Sequence, residues 1–277
     1  MQNRNRLAFV LGAPDAEMNA IESVLRACGI PHAYAAAYGE RCNSHTAYRT
    51  DSFLFLRAGL AKPFPLNPFI VTVECGGPAL KAYICIDHHR YGDYGFDKGP
   101  EDYWLGSSLG QTIKLLTLEG FNEKELLKSI NGNPHLIAAN DHCPFHAYKG
   151  LCPGIAPIKF MNARVRHAAS FGGVSEGQVW KAIDQSVKLL KTLPTRLING
   201  IPVRVIAEKI PHMTDAAILI GEPLEYTVES NNNRIKRGIT GTIDPTLIEC
   251  WMTEMKDQLE DLYGCPIRGY AGGYIPR

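Results

Sequence analysis

Asp87, His88 and His89 stand together directly after an apolar run of β type at residues 82–86. A second apolar run, which begins at Pro68, ends in the same way at Glu74. Because the carboxyl ends of neighbouring strands meet at one edge of a parallel sheet, we expect these four side chains to lie close together. Carboxylate oxygen and imidazole nitrogen suit Mn, Zn, Fe and, with water, Mg. The cluster therefore predicts a divalent-metal site, for which hydrolysis of phosphate esters is the leading reaction class.

Two more carboxylates, Asp15 and Glu17, lie where the first predicted strand gives way to a helix. At that junction they can join the same metal site as Glu74 and His88. Each also has a structural alternative, since Asp15 is a suitable N-cap residue and Glu17 adds a favourable charge to the first helical turn. We hold ligand and cap as equal interpretations of Asp15 and favour the helix-stabilising one for Glu17.

Asp141, His142 and His146 form a third polar group, inside a helix predicted at residues 136–148. On one continuous helix, His142 and His146 share a face because they are four residues apart. That spacing permits joint metal binding. Of the three residues, Asp141 is the preferred ligand.

The overall composition is that of a globular protein, with 277 residues, 45% hydrophobic and 21% charged. A net charge of +1 gives no bulk attraction to duplex DNA or to membranes, so small or short anions fit better as substrates. The eight cysteines include no CxxC pair, which predicts reduced thiols in the cytoplasm. No apolar run reaches the ~20 residues of a membrane span, and Pro14 cuts the first run too short for a signal peptide.

Strand and helix patterns alternate through the first half of the chain, which indicates an α/β fold with a mainly parallel sheet flanked by helices. Extended segments are predicted at residues 7–11, 32–37, 53–56, 69–75 and 82–86, with a helix at 15–28. Helical patterns then follow at residues 109–118, 123–130, 136–148, 158–170 and 178–190.

A second, smaller α/β domain is predicted at the C-terminus, after breaks at Pro194 and at Asn199-Gly200. Its strands are predicted at residues 203–210, 216–220, 225–229 and 234–242, and its one helix at 245–262. The two domains are therefore placed at residues 1–192 and 200–277.

Taken in order along the chain, Asp15, Glu74, the triplet Asp87-His88-His89 and Asp141 resemble the DHH phosphoesterase superfamily. The resemblance spans most of the first domain, and its specific part is the triplet with its preceding strand. It implies a binuclear, usually manganese, site in a catalytic domain at 1–192 and a small substrate-binding domain at 200–277. It also implies hydrolysis of phosphodiesters or phosphoanhydrides. His89 would contact the scissile phosphate or protonate the leaving oxygen, and Asp87 would orient the loop or an imidazole.

Two motifs depart from the pattern of that superfamily. Its first motif normally supplies a His and two Asp, where this chain has Gly12, Asp15 and Glu17. Its second motif normally ends in Asp, where this chain has Glu74. A Glu carboxylate reaches one methylene farther, so a changed distance between two metals and the binding of a single metal are both open.

The glycine-rich phosphate motif of the superfamily has a counterpart at residues 268–273, without the usual His. By the resemblance, Arg268 would fork onto phosphate oxygens, and Gly272 and Gly273 would let backbone N–H groups approach the anion. An ordinary glycine-rich turn is the alternative.

The sequence thus predicts a cytoplasmic, metal-dependent phosphoesterase that acts on a small nucleotide or short oligonucleotide. Its metal ligands are drawn from Asp15, Glu17, Glu74, His88, Asp141 and His142. Manganese is the first choice of ion, with magnesium and zinc as alternatives. Two other functions are open: a nucleotide-binding protein without turnover, and a mononuclear hydrolase centred on Asp141, His142 and His146. A homodimer is compatible with the sequence.

Overall fold

The computed structural model describes residues 4–55, 63–78, 80–230 and 234–276. The chain divides into two compact units, Met1–His142 and Cys143–Arg277. Each unit contains one sheet with helices packed on it, which confirms the predicted α/β class. The division into catalytic and substrate-binding domains at residues 192–200 concerns function and stays a prediction. No helix within the described ranges is long and apolar enough to cross a membrane.

The sheet of the first unit is mainly parallel. Its strands are β1 Leu7–Leu11, β2 His32–Ala37, β3 Glu40–Arg41, β4 Ser52–Leu54, β5 Phe69–Val73 and β6 Ile84–Ile86. They are ordered β3-β2-β1-β5-β6, with β4 paired to β2, and only β3 and β4 pair in antiparallel fashion. The carboxyl ends of β1, β5 and β6 therefore lie side by side at one edge. The predicted strand 53–56 extends to Leu56, which lies outside the described residues.

Five α-helices are described in the first unit, and three of them follow predicted helices closely. The five are α1 Ala16–Ala27, α2 Tyr103–Gly106, α3 Ser108–Leu118, α4 Glu123–Lys128 and α5 Pro134–His142. The strand β1 is buried along its whole length, as expected of a central parallel strand. Phe9 of this strand belongs to the same core as Ile21 of α1 and Leu109 of α3. This core fixes both helices against the sheet beside its carboxyl edge.

The single helix predicted at residues 136–148 is wrong. The chain forms two helices there, α5 and α6 Pro144–Tyr148, with Cys143 between them in a non-helical conformation. Pro144 has no backbone N–H and is suited to the first turn of a new helix, so the first helix ends before it. His142 and His146 therefore do not share a face of one helix.

The second unit is built on a mainly antiparallel sheet. Its helices, after α6, are α7 Pro157–Gly172, α8 Glu176–Thr192, α9 Met213–Ile220 and α10 Pro245–Met255. Its strands are β7 Thr195–Ile198, β8 Ile201–Ile206, β9 Leu224–Glu229, β10 Ile235–Thr240, β11 Glu260–Cys265 and β12 Tyr270–Tyr274. The order is β11-β12-β10-β9-β8-β7, and only β8 and β9 are parallel. Trp251 of α10 is fully buried in its core with Ile239 of β10.

Several predictions for the second unit are corrected by the structure. The strand predicted at 216–220 is part of α9, since a short apolar run fits a buried helix as well as a strand. The helix predicted at 245–262 ends at Met255, and most of its predicted last turn belongs to β11. The break at Asn199-Gly200 is the turn of a hairpin, in which both residues have positive φ, as a two-residue turn requires.

Candidate metal centre

Glu74 is held in an unusual backbone conformation where β5 ends. Its φ of 49° lies in the left-handed region, which non-glycine residues rarely adopt. Its N–H donates to the carbonyl of Ile86 at 3.0 Å. On its other side the chain passes so close at Gly12 that a Cβ there would lie 2.4 Å from the Glu74 carbonyl oxygen. The tight junction fixes the direction in which Glu74 leaves the sheet, and it excludes any side chain at position 12.

Four potential ligand residues converge beside this junction: Glu17, Glu74, His88 and Asp141. Each offers one oxygen or nitrogen, and these atoms all lie within 4.8 Å of one another. His88 Nε2 lies 3.0 Å from Asp141 Oδ2 and 3.5 Å from Glu74 Oε1. They come from α1, from the ends of β5 and β6, and from α5. Separate segments of the first unit thus deliver three carboxylates and one imidazole to one point.

The ionised forms of the carboxylates in this cluster are destabilised by burial and by their mutual repulsion. Glu17 is 1% exposed and Glu74 is 6% exposed. Burial, and then the charge of Asp141, raises the pKa of Glu74 to about 8 and holds that of Glu17 well above its usual range. The same two causes raise the pKa of Asp15 to about 6. A cation at this point would relieve the repulsion that these shifts express.

The donor atoms fit a divalent ion. Within the part of the chain that the structure describes, Glu17 Oε2 and Glu74 Oε1 are buried and take part in no hydrogen bond. Such atoms are costly in a folded protein unless something binds them. Three carboxylate oxygens with one imidazole nitrogen make a set that Mn²⁺, Zn²⁺ and, with water, Mg²⁺ accept. The residues at this point therefore fit the divalent metal ion that the sequence predicts.

Asp87 organises the loop that carries both histidines. Its Oδ1 accepts hydrogen bonds from the backbone N–H groups of His88 and His89, at 2.7 and 3.0 Å, and lies 3.0 Å from Nδ1 of His89. Its Oδ2 accepts a hydrogen bond from the Tyr48 hydroxyl at 2.8 Å. Burial alone would raise the pKa of Asp87, but these contacts with His89 and Tyr48 lower it to about 2. Asp87 is thus an ionised anchor.

His89 is the exposed member of the triplet, with 42% of its side chain accessible. Its partial burial would lower its pKa, but the hydrogen bond with Asp87 and the charges of Glu74, Asp87 and Asp141 raise it to about 9. His89 is therefore protonated at neutral pH. One of its ring nitrogens also lies within 4.8 Å of ligand atoms of Glu74 and His88.

Sequence reasoning missed Tyr48 and Arg90. The guanidinium carbon of Arg90 lies 3.4 Å from the centre of the Tyr48 ring. No carboxylate of the described residues forms an ion pair with Arg90. The position of Arg90 directly after His89 could have indicated from the sequence that it lies near the site. Tyr48 had none, since it belongs to the isolated 3-10 turn Ala47–Arg49, far from the triplet in sequence.

Asp15 and His142 lie near the cluster but outside the groups of mutually close ligand atoms among the described residues. Asp15 Oδ1 accepts a hydrogen bond from the N–H of Met18 at 2.7 Å and so forms the N-cap of α1. His142 contacts His88 through one ring nitrogen and the Lys98 carbonyl through the other. His146 belongs to α6 of the second unit, where it is buried.

Arg268, Gly272 and Gly273 lie in the second unit, and the alternative interpretation of the two glycines as a turn is wrong. Both glycines belong to β12, which has partner strands on each side, so backbone groups there pair within the sheet. A Cβ at Gly272 would lie 2.7 Å from the Tyr263 hydroxyl, which explains a small residue there. Arg268 is 4% exposed, with its guanidinium 5.2 Å from the centre of the Tyr270 ring. A substrate-binding role for the three residues stays a prediction.

Comparison with known proteins finds similarity to solved structures alone. No protein-family model matches the chain, and no curated protein matches it. A "pGpG-specific phosphodiesterase", PggH from Vibrio cholerae, aligns over 98% of this chain and 93% of its own length. The two sequences are 9% identical and the TM-score is 0.37. The chemistry of the site must therefore be argued from its own side chains.

Proposed function

We propose that this protein is a divalent-metal-dependent phosphoesterase that acts on a small nucleotide or a short oligonucleotide. The observation that carries the proposal is the convergence of three carboxylates and His88 at the carboxyl edge of the sheet. Ionised carboxylates in a buried cluster destabilise the folded protein, and a bound cation removes this destabilisation, which favours metal binding.

Glu17, Glu74, His88 and Asp141 would hold the ion. When bound, a divalent ion supplies Lewis-acid chemistry, which activates water and polarises a phosphoryl oxygen. These four residues form one group, a second group of Glu74, His88 and His89 shares two of its members, and Asp15 lies outside both as a helix cap. One ion per chain is therefore the expected stoichiometry, with manganese as the first choice because a set rich in oxygen suits it.

His89 and Arg90 suit an anionic substrate. His89 is exposed, and its contact with the ionised Asp87 at 3.0 Å favours the protonated ring, so it can donate a hydrogen bond to a phosphoryl oxygen and then pass its proton to the leaving oxygen. Asp87 holds the imidazole by Nδ1, which leaves Nε2 as the donor to substrate. The Arg90 guanidinium lies over the Tyr48 ring, and its positive charge and forked N–H groups suit phosphate.

A second function, binding of a nucleotide without turnover, is favoured by one observation. Position 12, where the resembled superfamily supplies an imidazole, is a glycine whose neighbour leaves no room for a side chain. If the reaction requires a second ion held by that imidazole, the site can bind but cannot hydrolyse. Asp15 then acts only as a cap.

The test is a substrate panel with measured metal content. Linear dinucleotides, cyclic dinucleotides, bisphosphonucleotides and pyrophosphate are incubated with Mn²⁺, Mg²⁺ or EDTA, and bound metal per chain is determined by mass spectrometry. We compare the wild type with His89→Ala and with His45→Ala, a half-buried histidine outside the site. Both variants are first checked for cooperative unfolding.

The proposal expects metal-dependent turnover in the wild type and in His45→Ala, and a loss of at least 100-fold in kcat in His89→Ala. Metal content should stay near one ion per chain in all three proteins. Binding of a nucleotide and a metal without any product would support the alternative function. A wild type that binds no metal would reject both the ligand set and the reaction class.

A further inference from the structure

A chain of two contacts, from Lys98 through His142 to His88, runs behind the candidate metal centre, on the side away from the carboxylates. Nε2 of His142 lies 2.9 Å from the carbonyl oxygen of Lys98, and Nδ1 of His142 lies 2.9 Å from Nδ1 of His88. His88 is fully buried and His142 is 1% exposed. Both ring nitrogens of His142 thus have partners within the first unit.

The order of donors and acceptors along this chain follows from elementary chemistry. A carbonyl oxygen can only accept, so Nε2 of His142 must carry a hydrogen. The order is worked out for a neutral His142, which carries one N–H, so its Nδ1 is an acceptor. The facing Nδ1 of His88 must then be the donor, because two lone pairs or two N–H groups cannot face each other at 2.9 Å.

We infer that His142 is a positioning residue: it holds the His88 proton on Nδ1 and so presents the Nε2 lone pair to the metal. The inference rests on the proposed metal site. Nε2 is the nitrogen that lies 3.0 Å from Asp141 Oδ2 and 3.5 Å from Glu74 Oε1. A free lone pair on Nε2 is what a metal ion binds, so this order of protons suits a metal ligand.

Two glycines make room for the histidine pair. A Cβ at Gly106 would lie 2.5 Å from both Cε1 and Nε2 of His142, and a Cβ at Gly95 would lie 2.6 Å from the Cβ of His88. Gly106 therefore sets how closely the His142 ring approaches the Lys98 carbonyl. Substitution of this glycine disturbs the contacts of His142 with Lys98 and His88 without changing any polar group, which gives a second, independent perturbation.

The inference assigns His142 a role other than that of a ligand. A ligand would have a ring nitrogen directed at the ion, whereas both nitrogens of His142 are engaged by His88 and Lys98. Partners that orient a ligating histidine typically contribute 10–100-fold to metal affinity. Loss of His142 should therefore weaken metal binding by about that factor and leave the number of ions unchanged.

The test measures Mn²⁺ affinity by calorimetric titration in the wild type, His142→Phe, His142→Asn and Gly106→Ala. Phe fills a similar volume without an acceptor, whereas the Asn side-chain oxygen can take the place of Nδ1. We expect about 10–100-fold weaker binding in His142→Phe and Gly106→Ala and recovery of most of the affinity in His142→Asn. Melting in EDTA is compared for all four proteins, so that a variant that fails to fold is set aside and the others decide.

A spectroscopic measurement tests the proton positions directly. Nitrogen-15 NMR of the histidine rings, with Zn²⁺ as a diamagnetic ion, should show His142 as the Nε2–H tautomer and His88 as the Nδ1–H tautomer with its Nε2 bound to metal. Unchanged affinity in His142→Phe, or a metal-bound nitrogen on His142, would overturn the inference while the phosphoesterase proposal stands. Metal binding with the expected tautomers but no turnover would reject the phosphoesterase and leave the inference intact.

Discussion

Removal of the Glu74 charge should stabilise the metal-free protein, although Glu74 is a proposed ligand. In the folded chain, burial and then the charge of Asp141 raise the Glu74 pKa from 4.5 to about 8. An acid with a raised folded pKa binds its proton more tightly in the folded state, so stability falls as the pH rises from 4.5 to about 8. Each pH unit in that window costs about 1.4 kcal/mol, which amounts to about 3 kcal/mol at pH 7.

Glu74→Gln keeps the shape of the side chain and removes this cost. We expect the variant to be more stable than the wild type by about 2–3 kcal/mol at pH 7 in EDTA, since the buried amide still needs partners. That difference corresponds to a rise in Tm of about 5–10 °C for a chain of this size. At pH 4.5 the two proteins should melt together, because the wild-type carboxyl is then protonated in the fold.

The assay is thermal unfolding of the wild type, Glu74→Gln and the exposed control Glu40→Gln between pH 4.5 and pH 8, with EDTA or Mn²⁺. The ion should raise the Tm of the wild type and of the control, because it binds only the folded state, and should raise that of Glu74→Gln far less. A Glu74→Gln protein that melts at or below the wild-type temperature at pH 8 in EDTA would refute the reasoning.

Three further predictions test the surroundings of the centre. Gly12→Ala places a Cβ against the Glu74 carbonyl and should lower the free energy of unfolding in urea by about 1–3 kcal/mol. It should also weaken Mn²⁺ binding, and a fully stable variant with normal Mn²⁺ binding contradicts the tight junction. Tyr48→Phe removes the hydrogen bond to Asp87 and should cost about 1–2 kcal/mol of stability, whereas a neutral effect would mean that the hydroxyl is not needed there. Arg90→Lys keeps the charge but loses the stacked fork, so KM should rise several-fold at unchanged Mn²⁺ affinity in steady-state kinetics; an unchanged KM would remove Arg90 from the substrate site.

Local pattern was enough to predict the elements that carry the candidate site. The strands at 7–11 and 32–37 are found with the predicted bounds, and helices 109–118 and 123–130 are found within two residues of theirs. These segments are predictable because a short, mostly apolar run fits a buried strand, and because Asn122 and Ser107 cap the helices that follow them.

Other elements depended on contacts that the sequence does not display. The apolar stretch of α9 fits strand and helix equally, and its helical state is supported by Asp215, which pairs with Arg164 of α7. The glycine pair at 272–273 looks like a turn, yet it forms a central strand because Tyr263 and Leu259 fill the space beside it. In both cases the partner is distant in sequence.

The amino-acid sequence by itself determined which polar residues follow the strands β5 and β6, because each apolar run ends in them and parallel strands share one edge. Only the tertiary structure decided which of these side chains meet. It places Glu17 with Glu74 and His88, leaves Asp15 as the cap of α1, and sets His142 behind His88. Ligand geometry depends on distances of a few ångströms between segments distant in sequence, and those distances are fixed by the packing of the helices against the sheet.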